Sequence, residues 1–183
     1  MQHFTYLVVT DGVHAVERVA ETFRAHDLHV EQSWFDHANR KHPIGGMVIG
    51  LHISRDEDLS RRAIHQMGTE LAEKMNHVAG VIAPDSNILV VLDREGDERR
   101  PPSGLYRRIE SFLSHIATFI ESERGISVSI NAIDLRPASD DAVIAEYVTD
   151  VILRRGVLSQ GVVVSSDELD GQSLRDALLN KSL

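Results

Sequence analysis

The chain has 183 residues, 42% of them hydrophobic and 26% charged, with no cysteine and a formal net charge of −9. The lack of cysteine excludes disulfides and thiolate metal sites, and the excess of acid argues against a nucleic-acid partner, whose binding rests on clustered Lys and Arg. No apolar run reaches the ~18–20 residues of a membrane span, and the start MQHFTYLVVTDG lacks a secretory signal's basic residues and cleavage site, so a cytoplasmic protein with no membrane partner is expected.

Phe4 to Thr10 is an apolar, β-branched run that stops at Asp11-Gly12, as a buried strand does. Val13, Val16, Val19, Ala20 and Phe23 then recur at helical spacing, with Glu17, Arg18, Glu21 and Arg24 on the opposite face. Leu28 to Trp34 is a weaker, alternating strand, followed by a polar loop over 35–45 and a clearer strand from Gly46 to Ile53. Ser54 or Asp56 is placed to cap a helix whose seam is Leu59, Ala63, Met67, Leu71, Met75 and Val78, ending near Gly80. Asn87 to Leu92, NILVVL, is the plainest buried strand, and it runs into the polar, proline-containing stretch DREGDERRPPSG.

Leu105, Ile109, Phe112, Leu113, Ile116, Ala117 and Ile120 form the broadest apolar helical face, bounded by Ser103 and Gly125. A strand over 126–133, a helix opened by Asp140-Asp141 and stopped by Gly156, and a strand over 161–164 complete the pattern. Residues 170–183 read as a tail, a short helix or frayed end, on a single domain spanning 1–183. Helices alternating with strands predict an α/β fold: a three-layer αβα sandwich around a shortened, doubly wound, mostly parallel Rossmann-like sheet of about six strands in the order 2-1-3-4-5-6, joined by right-handed crossovers. In such a sheet, chemistry gathers at the carboxyl ends of the strands.

Two further features bear on partners. The pairs Arg61–Arg62, Arg99–Arg100, Arg107–Arg108 and Arg154–Arg155 are scattered along the chain and read as solvated faces. The ten histidines include His26, His29, His37 and His42, beside Asp27 and Asp36, but their spacing matches no metal motif and no metal site is expected. His65 and His115 lie on the long helices and read as packed or interfacial.

The segment LYRRIESFLSHIATFIESERGISVSINAIDLRP resembles the active-site helix and following strand of the short-chain dehydrogenase/reductase family, in which a Tyr opens the helix and a "gIrVNaiaPG"-like phrase ends the strand. VLSQGVVVSSDE is similar to the family's final strand, and TYLVVTDGVHAVERVAETFRAHDLHV to its opening strand, turn and helix. The resemblance implies a Rossmann-type fold, an NAD(P) cofactor held at the first turn, a Tyr–Lys catalytic pair, and pairing of two long helices with their copies around a two-fold axis.

Several positions that carry this chemistry have changed. The family's T-G-x-x-x-G-x-G turn is TDGVHAVE here, which keeps Thr10 but places Asp11, Ala15 and Glu17 where glycines stand, with Gly12 one residue out of step. Carboxylates at a helix N-terminus compete with a pyrophosphate for the same positive end. Tyr106 matches the catalytic Tyr, but Glu110 occupies the Lys position, and a carboxylate raises a phenol's pKa where an ammonium lowers it. The family's Asn aligns with His65, its Pro-Gly with Leu135-Arg136, and its Ser falls near Asp93-Arg94-Glu95, with Ser103 too close to Tyr106 to serve. Residues 35–45 also replace a helix, strand and helix.

The expectation is therefore a short-chain dehydrogenase/reductase-like protein that has lost cofactor binding and catalysis, with Thr10 and Gly12 a vestigial cofactor turn and no cofactor bound. It would act as a homo-oligomer through helices 56–80 and 105–124, whose apolar faces exceed what one side of a sheet needs, or associate with a competent reductase. The alternative is an NAD(P)-dependent oxidoreductase with atypical residues, using Tyr106 helped by Arg94, Arg107 or Arg108.

Overall fold

The computed structural model describes residues 3–34, 42–53, 60–94, 104–156, 158–169 and 171–181. Its strands are β1 (Thr5–Val9), β2 (His29–Glu31), β3 (Ile44–Ile53), β4 (Ile82–Arg94), β5 (Val128–Leu135) and β6 (Val163–Ser165), all parallel and hydrogen-bonded in the order β2-β1-β3-β4-β5-β6. The doubly wound architecture predicted from the sequence is the one observed. Both faces of the sheet are covered, which is why the central strands read as unbroken apolar runs. Along β4, Leu89 and Val91 point to one face while Ile88, Val90 and Leu92 point to the other, and both sets are fully buried.

Helices α1 (His14–Ala25), α4 (Asp141–Leu153) and α5 (Leu174–Asn180) cover the first face, and α2 (Arg61–Val78) and α3 (Leu105–Arg124) cover the second. Ser60, not Ser54 or Asp56, caps α2 by accepting from the Ala63 amide at 3.3 Å; the two expected caps and Ser103 lie outside the described residues. Strand β2 is shorter than the predicted 28–34, and Trp34 turns instead into the second face against the Leu7, Met47 and Ile49 cluster. Strand β4 runs to Arg94, carrying two charged residues that the sequence placed in a loop.

The expectation of uniformly right-handed crossovers needs correction. From β1 to β2 the chain steps one way with α1 on the first face; from β3 to β4 and from β4 to β5 it steps the other way with helices on the second face, so these three connections share one hand. From β5 to β6 it steps as β3 to β4 does, yet α4 lies on the first face, so this unit has the opposite, left-handed sense to the usual rule. The cause is packing. Alone, α1 leaves the first face open over β3 and β4, and α4 reaches back to close it, with Ile144, Val148 and Val151 joining Val16, Val19 and Phe23 in one cluster. The Asn87 side-chain amide donates to Val151 O at 2.9 Å, and Gly46 leaves room for Ile152, whose Cγ2 would stand 2.6 Å from any added Cβ. Asn131 then secures the return to β6, donating to Ser159 O at 2.7 Å and accepting from the Val162 amide at 3.0 Å.

Of the stripes on α2 and α3 that suggested self-association, Leu71, Met75, Val78, Leu113, Ile116 and Ile120 are buried in the second-face cluster, while Ala63, Met67 and Phe112 are half-buried. Phe119, 37% exposed, is the large apolar side chain that α3 leaves outward among the described residues.

Candidate functional site

The carboxyl edge of the sheet brings together the ends of β1, β3, β4, β5 and β6. At the first turn, Asp11 and Gly12 take φ of 43° and 76°, and the Val13 amide closes the turn on Thr10 O at 2.8 Å. Positive φ is costly for Asp and free for Gly, which accounts for Gly12. The turn lies tight over β3: a Cβ on Gly50 would sit 2.1 Å from Thr10 O. Thr10 and Gly12 thus sit together at the start of α1, as the sequence placed them, and Glu17 faces outward, where its carboxylate meets His14 Nδ1 at 3.1 Å. That hydrogen bond and the charge of Glu17 raise the His14 imidazole above its ordinary pKa.

The centre of the edge is a charged group inside the protein. Leu92 and Ala132 point to the second face, so Arg94 and Asp134, two residues further on, do so as well. Arg94 clasps Asp134 with both ends of its fork, Nε to Oδ1 at 2.9 Å and Nη2 to Oδ2 at 2.8 Å, and Asp134 is entirely buried. From the first turn of α3, the Tyr106 hydroxyl donates to Asp134 Oδ2 at 2.5 Å. Burial, and then the hydrogen bond to and charge of Asp134, push the phenol far above its ordinary pKa. Glu110, where an ammonium was looked for, is half-buried one turn further along α3. The ammonium of Lys181 lies over the Tyr106 ring, 5.9 Å from its centre, and is engaged by Val163 O at 2.9 Å and the Glu168 carboxylate at 2.7 Å.

Just after β5, Arg136 forms a polar knot with the end of β6. The Arg136 amide donates to Ser139 Oγ at 3.1 Å and to Ser166 Oγ at 2.9 Å, and its guanidinium Nε donates to Ser165 Oγ at 3.0 Å. Hydrogen bonding to Ser165, and the Arg136 charge 3.8 Å away, hold the Asp167 carboxyl below its usual range. Between β1 and β3, where the strand order reverses, a crevice of about 330 Å³ opens on the second face, walled by Trp34 and Gly50 and rimmed by Asp11, His52, Glu70 and Lys74. His52 Nδ1 and Asp93 Oδ2 meet at 3.2 Å on adjacent strands beside it.

Of the residues singled out in the sequence, Thr10 and Gly12 share the first turn and Tyr106 reaches the β5 end. Arg107 and Arg108 point away from this edge, on the outer side of α3 with His65 and His115. Sequence reasoning missed Asp134 as the partner of Tyr106, and Arg136 as the tie between β5 and β6. The available signal was a lone Asp inside the apolar run INAIDL, since a charge in a buried strand needs a partner. Among the described residues, no group of three or more His, Asp or Glu is gathered to hold a metal, and no helix is long and apolar enough to cross a membrane.

No family model and no curated protein matches the chain. Among solved structures it is similar to BdcA (YjgI) from E. coli, at a TM-score of 0.51 and 10% identity, over 90% of this chain and 98% of that one. With the strand order and the layered helices, this likeness shows that the chain has a Rossmann-type α/β fold.

Proposed function

We propose that this chain is a short-chain dehydrogenase/reductase-like protein that no longer binds a dinucleotide or transfers hydride, and that it acts by association, as an oligomeric or partner subunit. The observation that carries this reading is the commitment of the Tyr106 hydroxyl to Asp134. A phenol that serves as a general acid and base must ionise near working pH, which an adjacent ammonium promotes and a buried carboxylate opposes. Here the carboxylate is present and Glu110 replaces the ammonium.

The residues at the edge do not fit NAD(P) in the family's usual mode. Asp11 stands on the turn over which a pyrophosphate would lie, and the crevice beside it is at the small end of the ~300–1,000 Å³ of ligand pockets, with two carboxylates on its rim. The oxidoreductase reading would need Arg94, which is held by Asp134, or Arg107 and Arg108, which line the outer side of α3. Calorimetric titration of the purified chain with NADH and NADPH tests the proposal: no saturable heat is expected, and sub-millimolar binding would overturn it.

A further inference from the structure

We propose that the end of the chain straps the outer edge of β6 shut, with the Glu168–Lys181 ion pair as its clasp, and so keeps the β6 of a second copy from adding to the sheet. This goes beyond the proposed loss of catalysis and does not depend on it.

The segment at stake is Gly161 to Ser166, GVVVSS, which is uncharged, free of proline and rich in valine. At the end of a sheet, six residues of that kind are a template for pairing with their own copy unless their outward amide and carbonyl groups are covered. β6 ends this sheet, with β5 on its inner side. The Ala132 amide donates to Val162 O at 2.9 Å, so that carbonyl points inward, toward β5. Successive backbone groups alternate in direction along a strand, so those of Val163 and Ser165 point outward. Both outward residues are engaged. Lys181 Nζ donates to Val163 O at 2.9 Å, the Ser165 amide donates to Glu168 Oε2 at 3.0 Å, and the same Oε2 meets Lys181 Nζ at 2.7 Å.

Lys181 reaches the edge because the helix before it is packed, not frayed. Leu174, Ala177 and Leu178 of α5 are buried on the first face, and Ser159 Oγ donates to Leu178 O at 2.8 Å. From the end of α5 the Lys181 side chain crosses the sheet edge toward Tyr106, whose ring packs against the second-face cluster. The two ends of the sheet differ accordingly: Val163, Val164 and Ser165 in β6 are buried, whereas the three residues of β2 are exposed or half-buried. Lys181 and Glu168 are 36% and 41% exposed, and an ion pair in that setting adds little stability by itself. Its contribution is its position. An incoming strand would have to displace both charges and bury them, unpaired, against its own valines.

The test is sedimentation velocity with amide hydrogen exchange on the whole chain. The variants are Lys181→Met combined with Glu168→Ala, Lys181→Arg, and Asp150→Ala, which breaks the exposed Arg154–Asp150 pair at the end of α4 as a control. Neither Lys181 nor Glu168 belongs to the buried core, so the double variant keeps the fold. It is expected to form a concentration-dependent species heavier than any the parent forms. Lys181→Arg, which keeps a donor and a charge, and Asp150→Ala are expected to sediment as the parent does. In the dilute double variant the Ser165 amide is expected to exchange about tenfold faster than in the parent, and to regain protection as the heavier species forms. The proposal is overturned if the double variant sediments as the parent does, or if Lys181→Arg or Asp150→Ala associates to the same extent. A heavier species in which Ser165 still exchanges fast would also overturn it, since the contact would then lie elsewhere. An oligomer built through α2 and α3 is common to parent and variants, and no dinucleotide is used, so this result is separable from that of the proposed function.

Discussion

Arg94 and Asp134, forty positions apart, close a two-pronged ion pair at the carboxyl ends of β4 and β5, with Asp134 wholly shielded from water. Charges so placed favour the fold only as a pair. Replacing Arg94 with Met leaves the Asp134 carboxylate buried and unmatched, which costs about 3–5 kcal/mol. The combined Arg94→Met, Asp134→Leu variant is expected to recover most of that loss in urea denaturation. A single variant as stable as the parent would show that Asp134 does not depend on Arg94.

Tyr106 makes stability fall in alkali. Its folded pKa lies above its unfolded value of about 10, so the folded state favours the protonated phenol. The contribution is present in full below pH about 10 and is lost as pH rises from there toward the folded value. Denaturation midpoints measured through this range are expected to fall for the parent and to fall less steeply for Tyr106→Phe. Parallel curves for the two would contradict the assignment.

The acid limb has the opposite sign. Ser165 and Arg136 hold Asp167 below its usual range, so its contribution is present above the unfolded carboxyl value and lost as pH falls through the folded one. Ser165→Ala removes the larger cause, and the Asp167 carboxyl followed by NMR is expected to titrate at higher pH in that variant. An unchanged titration would detach Asp167 from the knot at the end of β6.

Gly50 is required by the close approach of the first turn. With backbone Thr10 O 2.1 Å from where its Cβ would lie, Gly50→Ala must displace the β1–α1 turn or the centre of β3. The expected cost is at least the ~1–3 kcal/mol typical of overpacking, read as a lowered melting temperature. Gly171→Ala, at a positive φ of 76° with open space around it, carries backbone strain alone and is expected to cost less. The reverse order would mean that the turn is not packed as described.

The fold was legible where burial on both faces turns a strand into a solid run, as in NILVVL, and where Gly12 and Gly125 punctuate helices. The short β2 was less so, because an edge strand whose residues are exposed or half-buried has little apolar signal. The hand of the last crossover was not legible: the apolar positions of α4 say that it packs on a sheet, not which face is vacant. At the site, Tyr106 and Glu110 were found because their spacing is local. Asp134 and Arg94 meet only through tertiary packing, so no local pattern announces them.

The ionisation of the Tyr106 phenol decides between these roles, and its Cζ resonance in ¹³C-tyrosine-labelled protein, followed against pH with and without NADH, measures it. A neutral phenol from neutral pH up to the ordinary tyrosine range, with no saturable shift on adding NADH, is the predicted result. A phenolate appearing near neutral pH, or a resonance that moves saturably with NADH, would contradict the loss of catalysis.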